Sequence, residues 1–355
     1  MERRSTRRIS LGRVEVGGGA PIAVQSMTNT DTRDPEATIA QIQALAEAGC
    51  EIVRVAVPDR ASAGVLDRIK ENITLPLVAD IHFDYRLALL ALERGVDGLR
   101  INPGNIGGRD RVRRVAEAAG KLGVPIRIGV NAGSLDKDLL ARYGRATPEA
   151  LVASARRQIK LLEDHHFSLI KISLKSSQVL DTVAAYRLMS RETDYPLHLG
   201  VTEAGGLIAG TVKSALGIGM LLAEGIGDTI RVSLTRDPVE EVRAGFEILR
   251  ALDIRHRGVE IISCPTCGRC EINLFALAEE VEKRLSHITR PLKVAVMGCV
   301  VNGPGEAREA DVGVAGGRGQ GLLFCRGELV RKVKENELAE ALAAEVDRIL
   351  SMGKE

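Results

Sequence analysis

The sequence predicts an α/β protein, in which a (β/α)8 barrel of the TIM type is followed by a smaller α+β domain. Between Pro21 and about Asp253, eight short β-branched apolar runs alternate with longer amphipathic segments. Eight such units over roughly 230 residues match the size of a barrel, about 250 residues. The pattern changes near Arg257-Gly258, which places the two domains at residues 1–257 and 258–355. An open α/β sheet remains the alternative, because alternation in the sequence does not show closure.

Each apolar run predicts one barrel strand. The strands are Ile22–Met27, Cys50–Val57, Pro76–His82, Gly98–Asn102, Pro125–Val130, Leu169–Leu174, Pro196–Val201 and Thr229–Leu234. Three of the following helices should begin at an N-cap residue followed by proline, at Asp34-Pro35, Thr147-Pro148 and Asp237-Pro238. Glycines mark the expected helix ends at positions 49, 95, 123 and 225.

The second domain should contain two strands, a hairpin and two helices. The order is a strand at Val259–Ser263, a helix from about Ile272 to Leu285, a strand at Leu292–Met297, a glycine-rich hairpin around Gly313–Gly321 and a terminal helix from about Asn336. Most of this domain's cysteines fall in the loops after its first two strands.

Composition excludes several function classes. The 355 residues are 45% hydrophobic and 27% charged, which is typical of a folded globular protein and excludes general disorder. A formal net charge of +2 gives no overall attraction to nucleic acid or membrane. The arginine-rich first eight residues are followed by no apolar segment, so they predict neither a signal peptide nor a membrane anchor, and we expect a cytoplasmic protein.

The strongest local motif pairs two cysteine loops. Cys264-Pro265-Thr266-Cys267 has the Cys-x-x-Cys spacing with which one tight turn binds a metal centre, and Cys299 lies in a second loop that also carries Glu306. Three thiolates and a carboxylate favour an iron–sulfur cluster over structural zinc, which prefers sulfur and nitrogen ligands. Cys270 keeps a four-cysteine zinc site or an all-thiolate cluster open. Cys50 and Cys325 are interpreted as small buried apolar residues.

A second motif is distributed over the barrel strands. Six cations stand at or near the carboxyl ends of the strands, where barrel active sites form. These are Arg54, Arg100, Arg127, Lys171, Lys175 and Arg231. Their convergence predicts recognition of a phosphate or diphosphate, because clustered buried cations require a compensating anion. For any one position, pairing with a nearby acid such as Asp80, Asp97 or Glu203 is the alternative.

Other polar residues at the same ends complete the predicted site. The substrate-binding set adds Asn102, Asn131, His198, Thr202 and Ser233 to the six cations. Glu203 is predicted to supply or relay a proton, with support from His198. Glu306 is predicted to be the fourth cluster ligand. It is also predicted to act in catalysis, because an oxygen ligand on iron can be exchanged for another ligand.

At these residues the chain closely resembles the 4-hydroxy-3-methylbut-2-enyl diphosphate synthase family of the methylerythritol phosphate route to isoprenoids. The resemblance spans nearly the whole chain. Its motifs are Gln25-Ser26-Met27-Thr28-Asn29-Thr30, Arg100-Ile101-Asn102-Pro103-Gly104-Asn105, Leu197-His198-Leu199-Gly200-Val201-Thr202-Glu203-Ala204-Gly205, Glu224-Gly225-Ile226-Gly227-Asp228-Thr229, Ser263-Cys264-Pro265-Thr266-Cys267-Gly268-Arg269 and Gly298-Cys299-Val300-Val301-Asn302-Gly303-Pro304-Gly305-Glu306.

The resemblance implies a [4Fe–4S] cluster on Cys264, Cys267, Cys299 and Glu306. It implies a two-electron reductive ring opening of 2-C-methyl-D-erythritol 2,4-cyclodiphosphate with loss of water, and reduced ferredoxin or flavodoxin as the electron source. It further implies a homodimer, in which the barrel of one subunit faces the cluster domain of the other. Cys270 departs from the commoner family pattern, which has no cysteine there.

Two other function classes fit parts of the residue pattern. One is a phosphate-binding barrel enzyme, such as an aldolase or a pterin-binding synthase, with a structural zinc domain and Lys171 or Lys175 as the reactive amine. The other is a non-catalytic iron–sulfur carrier or sensor, which has little need for six cations at a barrel mouth.

Overall fold

A computed structural model describes residues 2–102, 104–299 and 301–352. Two motif positions named above, Pro103 and Val300, lie outside the described residues, as do Met1 and residues 353–355. The chain divides into two compact units, the first ending at Arg255 and the second beginning at His256.

The first unit is a (β/α)8 barrel preceded by a short hairpin. Its strands are β1 (Ile9–Leu11), β2 (Val14–Val16), β3 (Ala23–Met27), β4 (Ile52–Ala56), β5 (Leu77–Asp80), β6 (Gly98–Ile101), β7 (Ile126–Asn131), β8 (Ile170–Lys175), β9 (His198–Leu199) and β10 (Thr229–Ile230). Strands β3 to β10 form one parallel sheet in the order β8-β7-β6-β5-β4-β3-β10-β9. A bridge between Ile172 and Leu197 joins β8 to β9, so the sheet closes and the open-sheet alternative is wrong.

All eight predicted barrel strands are present, but the last two are shorter than expected. Strand β9 ends at Leu199, and only glycine fits at the next position, since a Cβ atom at Gly200 would lie 2.5 Å from the Arg231 carbonyl oxygen. The chain then turns through Glu203 and Gly205, which have φ angles of 54° and 103°. These left-handed conformations cannot continue a strand.

Helices separate the barrel strands and cover the outside of the barrel. They are α1 (Pro35–Ala48), α2 (Arg60–Gly64), α3 (Leu66–Glu71), α4 (Tyr85–Glu93), α5 (Arg109–Leu122), α6 (Lys137–Tyr143), α7 (Pro148–Glu163), α8 (Val179–Glu192), α9 (Leu207–Ala223) and α10 (Pro238–Ala251). The three predicted proline starts are confirmed, since the N-cap side chains of Asp34, Thr147 and Asp237 each accept a backbone N–H bond of the first turn. Helix α1 ends at Gly49 with φ of 103°, and α5 at Gly123 with φ of 67°.

The hairpin β1–β2 closes the amino-terminal end of the barrel. Ile9, Leu11 and Val16 are buried against barrel residues that include Val78. The segment before the hairpin is held by contacts with the far end of the barrel sequence. The Arg4 guanidinium donates to the carbonyl oxygens of residues 190, 193 and 195, and Thr6 Oγ1 donates to Asp228 Oδ1 at 2.9 Å. The sequence reasoning did not predict this hairpin as an element.

The second unit contains a five-stranded mixed sheet. Its elements are β11 (Val259–Ser263), α11 (Leu274–Leu285), β12 (Leu292–Met297), α12 (Gly303–Glu309), β13 (Val312–Gly317), β14 (Gln320–Cys325), β15 (Glu328–Lys334) and α13 (Leu338–Met352). The order is β11-β12-β13-β14-β15, parallel up to β13 and antiparallel beyond it. Strands β11 and β12 have the predicted bounds, whereas α12 and β15 were missed. No helix in the described part of the chain is both long and apolar enough to cross a membrane.

Candidate active site

A polar cavity lies at the carboxyl ends of the barrel strands. It encloses about 430 Å³ of space between atoms, part of which is open to solvent. It is lined by Arg54, Asp80, His82, Arg100, Arg127, Asn131, Ser173, Lys175, Thr202, Arg231 and Ser233. Five cations and one carboxylate therefore surround a single space, and this excess of positive charge defines an anion site.

Asp80 at the end of β5 is the one carboxylate in this lining. Its Oδ1 accepts from Arg100 Nη1 at 3.1 Å, and its Oδ2 lies 3.6 Å from Arg54 Nε. Burial opposes ionisation of the carboxyl, but Arg54 and Arg100 together hold the pKa of Asp80 below its usual range. His82 Nε2 lies 2.8 Å from the same Arg100 nitrogen. Asp80 thus remains ionised and orients two of the five cations.

Two further cations of the lining have no carboxylate partner within the described residues. Arg127 Nη1 donates to Ser173 Oγ at 3.1 Å, and its Nε and Nη2 have no hydrogen-bond partner. Burial, reinforced by Arg54 and Arg100, lowers the pKa of Arg127 well below its ordinary value. Burial also lowers the pKa of Lys175 well below its ordinary value, with Arg231 and Arg127 adding to the effect. An anion between these groups would restore the charged forms of both.

Arg231 is anchored from outside the cavity. Its Nη2 lies 3.3 Å from Oε2 of Glu241, a buried carboxylate in the first turn of α10. Glu241 also accepts from Ser26 Oγ at 3.2 Å and from the Leu234 backbone N–H at 3.0 Å. Sequence reasoning missed Glu241, since it lies on a helix after the last strand, and its position in the first turn is an ordinary helix feature.

Two glycines let long cationic side chains cross the barrel. A Cβ atom at Gly129 would lie 2.4 Å from Arg100 Nε, and one at Gly200 would lie 2.7 Å from Lys175 Nζ. Ser173, which accepts from Arg127, lies on the inner face of β8. None of these three residues was predicted, although two of them are glycines within predicted strands, a pattern that indicates close approach.

Four predicted site residues do not line this cavity. Lys171 and His198 are buried in the barrel interior, 2% and 0% exposed, and His198 Nδ1 contacts Thr229 Oγ1 at 2.9 Å. Burial, aided by Arg127, lowers the pKa of His198 well below its ordinary value, so the ring is neutral. Asn102 is buried and accepts from the Gly104 N–H at 3.0 Å. Glu203 is exposed, next to the lining residue Thr202, with the strained φ of 54°.

The two cysteine loops of the second unit meet at one end of its sheet. Strands β11 and β12 are parallel neighbours with Ser263 opposite Val296, so Cys264 and Cys299 follow adjacent strand ends. The Glu271 N–H donates to the Gly298 carbonyl oxygen at 3.0 Å. A Cβ atom at Gly298 would lie 2.5 Å from Cys270 Sγ, so the loops are in direct contact.

Cys299 has the features of a thiolate ligand. Backbone N–H groups of Asn302 and Val301 donate to its sulfur and lower the pKa of Cys299, with a further contribution from the Arg269 charge. Arg269 belongs to the other cysteine loop, which shows again that the loops share one region. Cys264 is half-buried, Cys267 is exposed and none of the six cysteines is in a disulfide. Glu306 is an exposed residue on α12.

The donor set fits an iron–sulfur cluster in its chemistry. Thiolate is the ligand that such clusters prefer, and four free cysteines, Cys264, Cys267, Cys270 and Cys299, are available on two adjoining loops. Within residues 2–102, 104–299 and 301–352, no group of three or more His, Cys, Asp or Glu side chains is arranged to hold a metal ion. Cys270 is partly buried, and its sulfur lies 3.3 Å from the Ile272 carbonyl oxygen.

Fold and site define a (β/α)8-barrel protein with a cation-lined mouth and a second unit that carries free cysteines on two adjoining loops. Family models match both units, the GcpE TIM-barrel domain over residues 6–246 and the GcpE protein C-terminal domain over residues 260–348. The chain belongs to the GcpE family. The resemblance predicted from the motifs is thereby confirmed, and the chain is an enzyme of this family.

Curated relatives match along their whole length. The chain is 64% identical over 346 residues to a protein of Geobacter sulfurreducens, with 98% of each chain covered. It is 59% identical over 349 residues to a protein of Clostridium acetobutylicum, with 98% of this chain and 100% of the relative covered. Both relatives are named 4-hydroxy-3-methylbut-2-en-1-yl diphosphate synthase (flavodoxin).

Two solved structures have a similar fold over part of the chain. A spore coat polysaccharide biosynthesis protein of Bacillus subtilis aligns with a TM-score of 0.51 and 12% identity, over 70% of this chain and 73% of that one. A dihydropteroate synthase of Yersinia pestis aligns with a TM-score of 0.50 and 11% identity, over 70% of this chain and all of that one. At such identities the likeness shows only the fold.

Proposed function

We propose that this protein reduces 2-C-methyl-D-erythritol 2,4-cyclodiphosphate to 4-hydroxy-3-methylbut-2-enyl diphosphate in isoprenoid precursor biosynthesis. The reaction opens the cyclic diphosphate, consumes two electrons and a proton, and releases water. The observation that carries the proposal is the cavity of five cations and one carboxylate in a chain that belongs to the GcpE family. The full-length relatives named for this diphosphate product support it.

The barrel cations would bind the diphosphate of the substrate. Arg127 and Lys175 have no carboxylate partner within the described residues, so their charges are free to be compensated by the substrate. Arg54, Arg100 and Arg231 are held by Asp80 and Glu241 and would present preoriented N–H groups. Preorientation lowers the cost of ordering long side chains on binding. Asn131, Thr202 and Ser233 would supply neutral hydrogen bonds at the rim.

Cys264, Cys267, Cys299 and Glu306 would hold a [4Fe–4S] cluster. When bound, such a cluster supplies electrons one at a time and an iron that acts as a Lewis acid. The lowered pKa of Cys299 favours the thiolate that a cluster needs. Three sulfurs would provide the permanent ligands, and the exposed carboxylate of Glu306 the exchangeable one.

Glu203 would deliver the proton. It adjoins the lining residue Thr202 and is held at a left-handed φ of 54°, a conformation that costs of order 1–3 kcal/mol for a residue other than glycine. Such strain is commonly retained where a side chain must be aimed at a site. His198 is neutral and buried below the cavity, so it would position the surrounding strand ends instead of exchanging protons with solvent.

Flavodoxin is the proposed electron donor, since the relatives are named for it, and ferredoxin is the alternative carrier. A homodimer whose active site is completed between subunits is proposed from the family resemblance. A cytoplasmic location is also proposed, and the six free cysteines support it, since disulfides are rare in that compartment.

Anaerobic purification followed by iron, sulfide and zinc analysis tests the cofactor. Turnover of the cyclic diphosphate with reduced flavodoxin tests the reaction, and calorimetric titration with the same compound tests the cavity. A phosphate-binding barrel enzyme with a zinc domain would be colourless, and borohydride trapping with a carbonyl substrate would label Lys171 or Lys175. A cluster carrier would contain iron and sulfide but would not bind the diphosphate. Either result would exclude the proposed reaction.

A further inference from the structure

The barrel closes at the seam between β8 and β9, where side-chain hydroxyl groups interrupt the backbone hydrogen bonds. At one end of the seam, the Ile172 N–H donates to the Pro196 carbonyl oxygen at 2.9 Å. At the other end, the Thr202 N–H donates to the Ser176 carbonyl oxygen at 3.3 Å. Both bonds belong to one parallel register, in which donors and acceptors recur every two residues. The two donors that follow Ile172 in this register bond to side chains instead.

The hydroxyl group of Tyr186 takes the place of the first of these direct bonds. In this register the Leu174 N–H faces the His198 carbonyl oxygen, but it donates to Tyr186 Oη at 3.0 Å, and Tyr186 Oη donates to the His198 oxygen. Burial raises the pKa of Tyr186, so the phenol keeps the proton that it donates. A donor and an acceptor that share a bridging oxygen lie further apart than the about 2.9 Å of a direct bond. The hydroxyl therefore holds the two strands apart at this point.

Thr182 binds the second of these donors, one turn earlier on α8. The Ser176 N–H donates to Thr182 Oγ1 at 3.2 Å, so it is not free to bond directly across the seam. Thr182 and Tyr186 are four residues apart and therefore lie on the same face of α8. Both are buried, at 1% and 0% exposure. We call these two side chains the seam pair.

Residues on both sides of the seam line the cavity at the barrel mouth. Ser173 and Lys175 belong to β8, one before and one after Leu174, and Thr202 follows β9. Lys175 reaches across the seam, since a Cβ atom at Gly200 would lie 2.7 Å from Lys175 Nζ. The seam pair is not among the residues that line the cavity, but it sets the separation of the two strands. It thereby sets the distance between Lys175 and Thr202.

We propose that Tyr186 is a positioning residue for the anion cavity. Together with Thr182, it holds β8 and β9 at the separation at which Lys175 and Thr202 contact one diphosphate at the same time. Binding groups lose much of their effect when they are displaced by about 1 Å from the productive geometry, so the width of the seam matters for affinity. The inference rests on the proposed function, since it takes a diphosphate as the anion of this cavity.

Removal of the Tyr186 hydroxyl would change the seam in a defined way. The Leu174 N–H and the His198 carbonyl oxygen would both lose their partner. Buried backbone groups are rarely left unpaired, so the strands should approach until these two groups bond directly. The approach would bring Lys175 closer to the chain at Gly200, where a Cβ atom already has no room. Lys175 would therefore have to move within the cavity.

Calorimetric titration of Tyr186→Phe with inorganic diphosphate and with the cyclic diphosphate tests the proposal. The full chain is purified anaerobically for these measurements. The affinity for both ligands should fall about five- to tenfold, which corresponds to weakening one hydrogen bond with a charged group. Thr182→Val should lower the affinity in the same direction. Tyr195→Phe is the matched control and should bind normally, because that buried tyrosine donates to Glu163 Oε1 on α7 at 2.9 Å and does not line the cavity.

Steady-state kinetics separate positioning from stability. Tyr186→Phe should raise KM for the cyclic diphosphate about five- to tenfold and leave kcat within twofold, because binding is weakened equally before and during the reaction. A purely structural role would reduce the folded fraction, which lowers the apparent kcat at unchanged KM.

Normal affinity and KM in both Tyr186→Phe and Thr182→Val would overturn this inference alone. Failure of the unmodified protein to bind either diphosphate would refute the proposed function, and this inference with it.

Discussion

Substitution of Gly129 by alanine isolates the contribution of Arg100 to anion binding. The added Cβ would lie 2.4 Å from Arg100 Nε and 3.0 Å from Cζ, so the guanidinium must move by about 1 Å to restore ordinary van der Waals contact. Gly129 lies within β7, and only the outer end of the Arg100 side chain opposes the new methyl group. The backbone of the barrel need not shift.

The displacement of Arg100 should lower the affinity for diphosphate more than it lowers the free energy of unfolding. Moving Arg100 breaks its 3.1 Å bond with Asp80 and its 2.8 Å contact with His82, and it removes a preoriented donor from the cavity. A hydrogen bond to a charged group contributes about 1.5–3 kcal/mol, so diphosphate affinity should fall about 10- to 150-fold. The free energy of unfolding should fall by about 1 kcal/mol, at the low end for an overpacked core.

Isothermal titration calorimetry measures the loss of affinity, with the cyclic diphosphate as ligand and inorganic diphosphate as a simpler probe. Gly133→Ala is the matched control, because nothing lies within 4 Å of the Cβ position there. It should bind both ligands as the unmodified protein does. If Gly129→Ala binds diphosphate normally, or loses affinity only in proportion to a general loss of stability, the assignment of Arg100 to the anion site is wrong.

Four further substitutions test other parts of the structure. Asp80→Asn should cost about 3–5 kcal/mol of unfolding free energy at neutral pH, because it leaves two buried arginines unpaired. The pKa of Asp80 is lowered in the folded chain, so this difference should be present above pH 4 and shrink as acid protonates the carboxylate, as urea titrations at several pH values would show. The pKa of Lys171, which burial lowers to about 7, lies below its unfolded value of about 10.4, so the unfolded chain binds more protons between these values. Stability should then rise with pH by up to about 1.4 kcal/mol per unit, and Lys171→Met should abolish that slope. Cys299→Ser should lose iron and sulfide on analysis while diphosphate binding to the barrel stays within twofold; retained iron would remove Cys299 from the ligand set. Glu203→Gln should lower kcat about 100-fold with unchanged cluster absorption, whereas loss of that absorption would indicate a structural role.

The order of strands and helices in the barrel was predictable, because each βα unit contains its own local signals. Asp34-Pro35 starts α1 and Gly49 ends it, and both signals act through contacts within a few residues. The hairpin β1–β2 was missed because it is stabilised by packing on Val78 and its neighbours, which are distant in sequence. The early end of β9 was also missed, since the apolar pattern of the strand does not show the left-handed turn that follows at Glu203 and Gly205.

The sequence predicted the kinds of residue that form the candidate site, but not how deep in the barrel each of them lies. The position of a cation on a strand showed which end of the barrel it faces, and Arg54, Arg100, Arg127 and Arg231 do line the cavity. Lys171 is the second residue of β8, four residues before Lys175, and this difference places it below the mouth. Sequence indicated polar residues on the strand but not the level at which each one enters the barrel.

The contacts of the amino-terminal segment have a consequence for synthesis on the ribosome. Thr6 bonds with Asp228, a partner 222 positions later in the chain, and Arg4 bonds with carbonyl groups that follow it by 186 to 191 positions. At about 5–20 residues per second, a nascent chain therefore needs about 9 seconds or more to produce the partners of Arg4, and about 11 seconds or more to produce that of Thr6. During that time the segment before the hairpin lacks its partners in the folded barrel, and this is the interval in which chaperones would have most to protect.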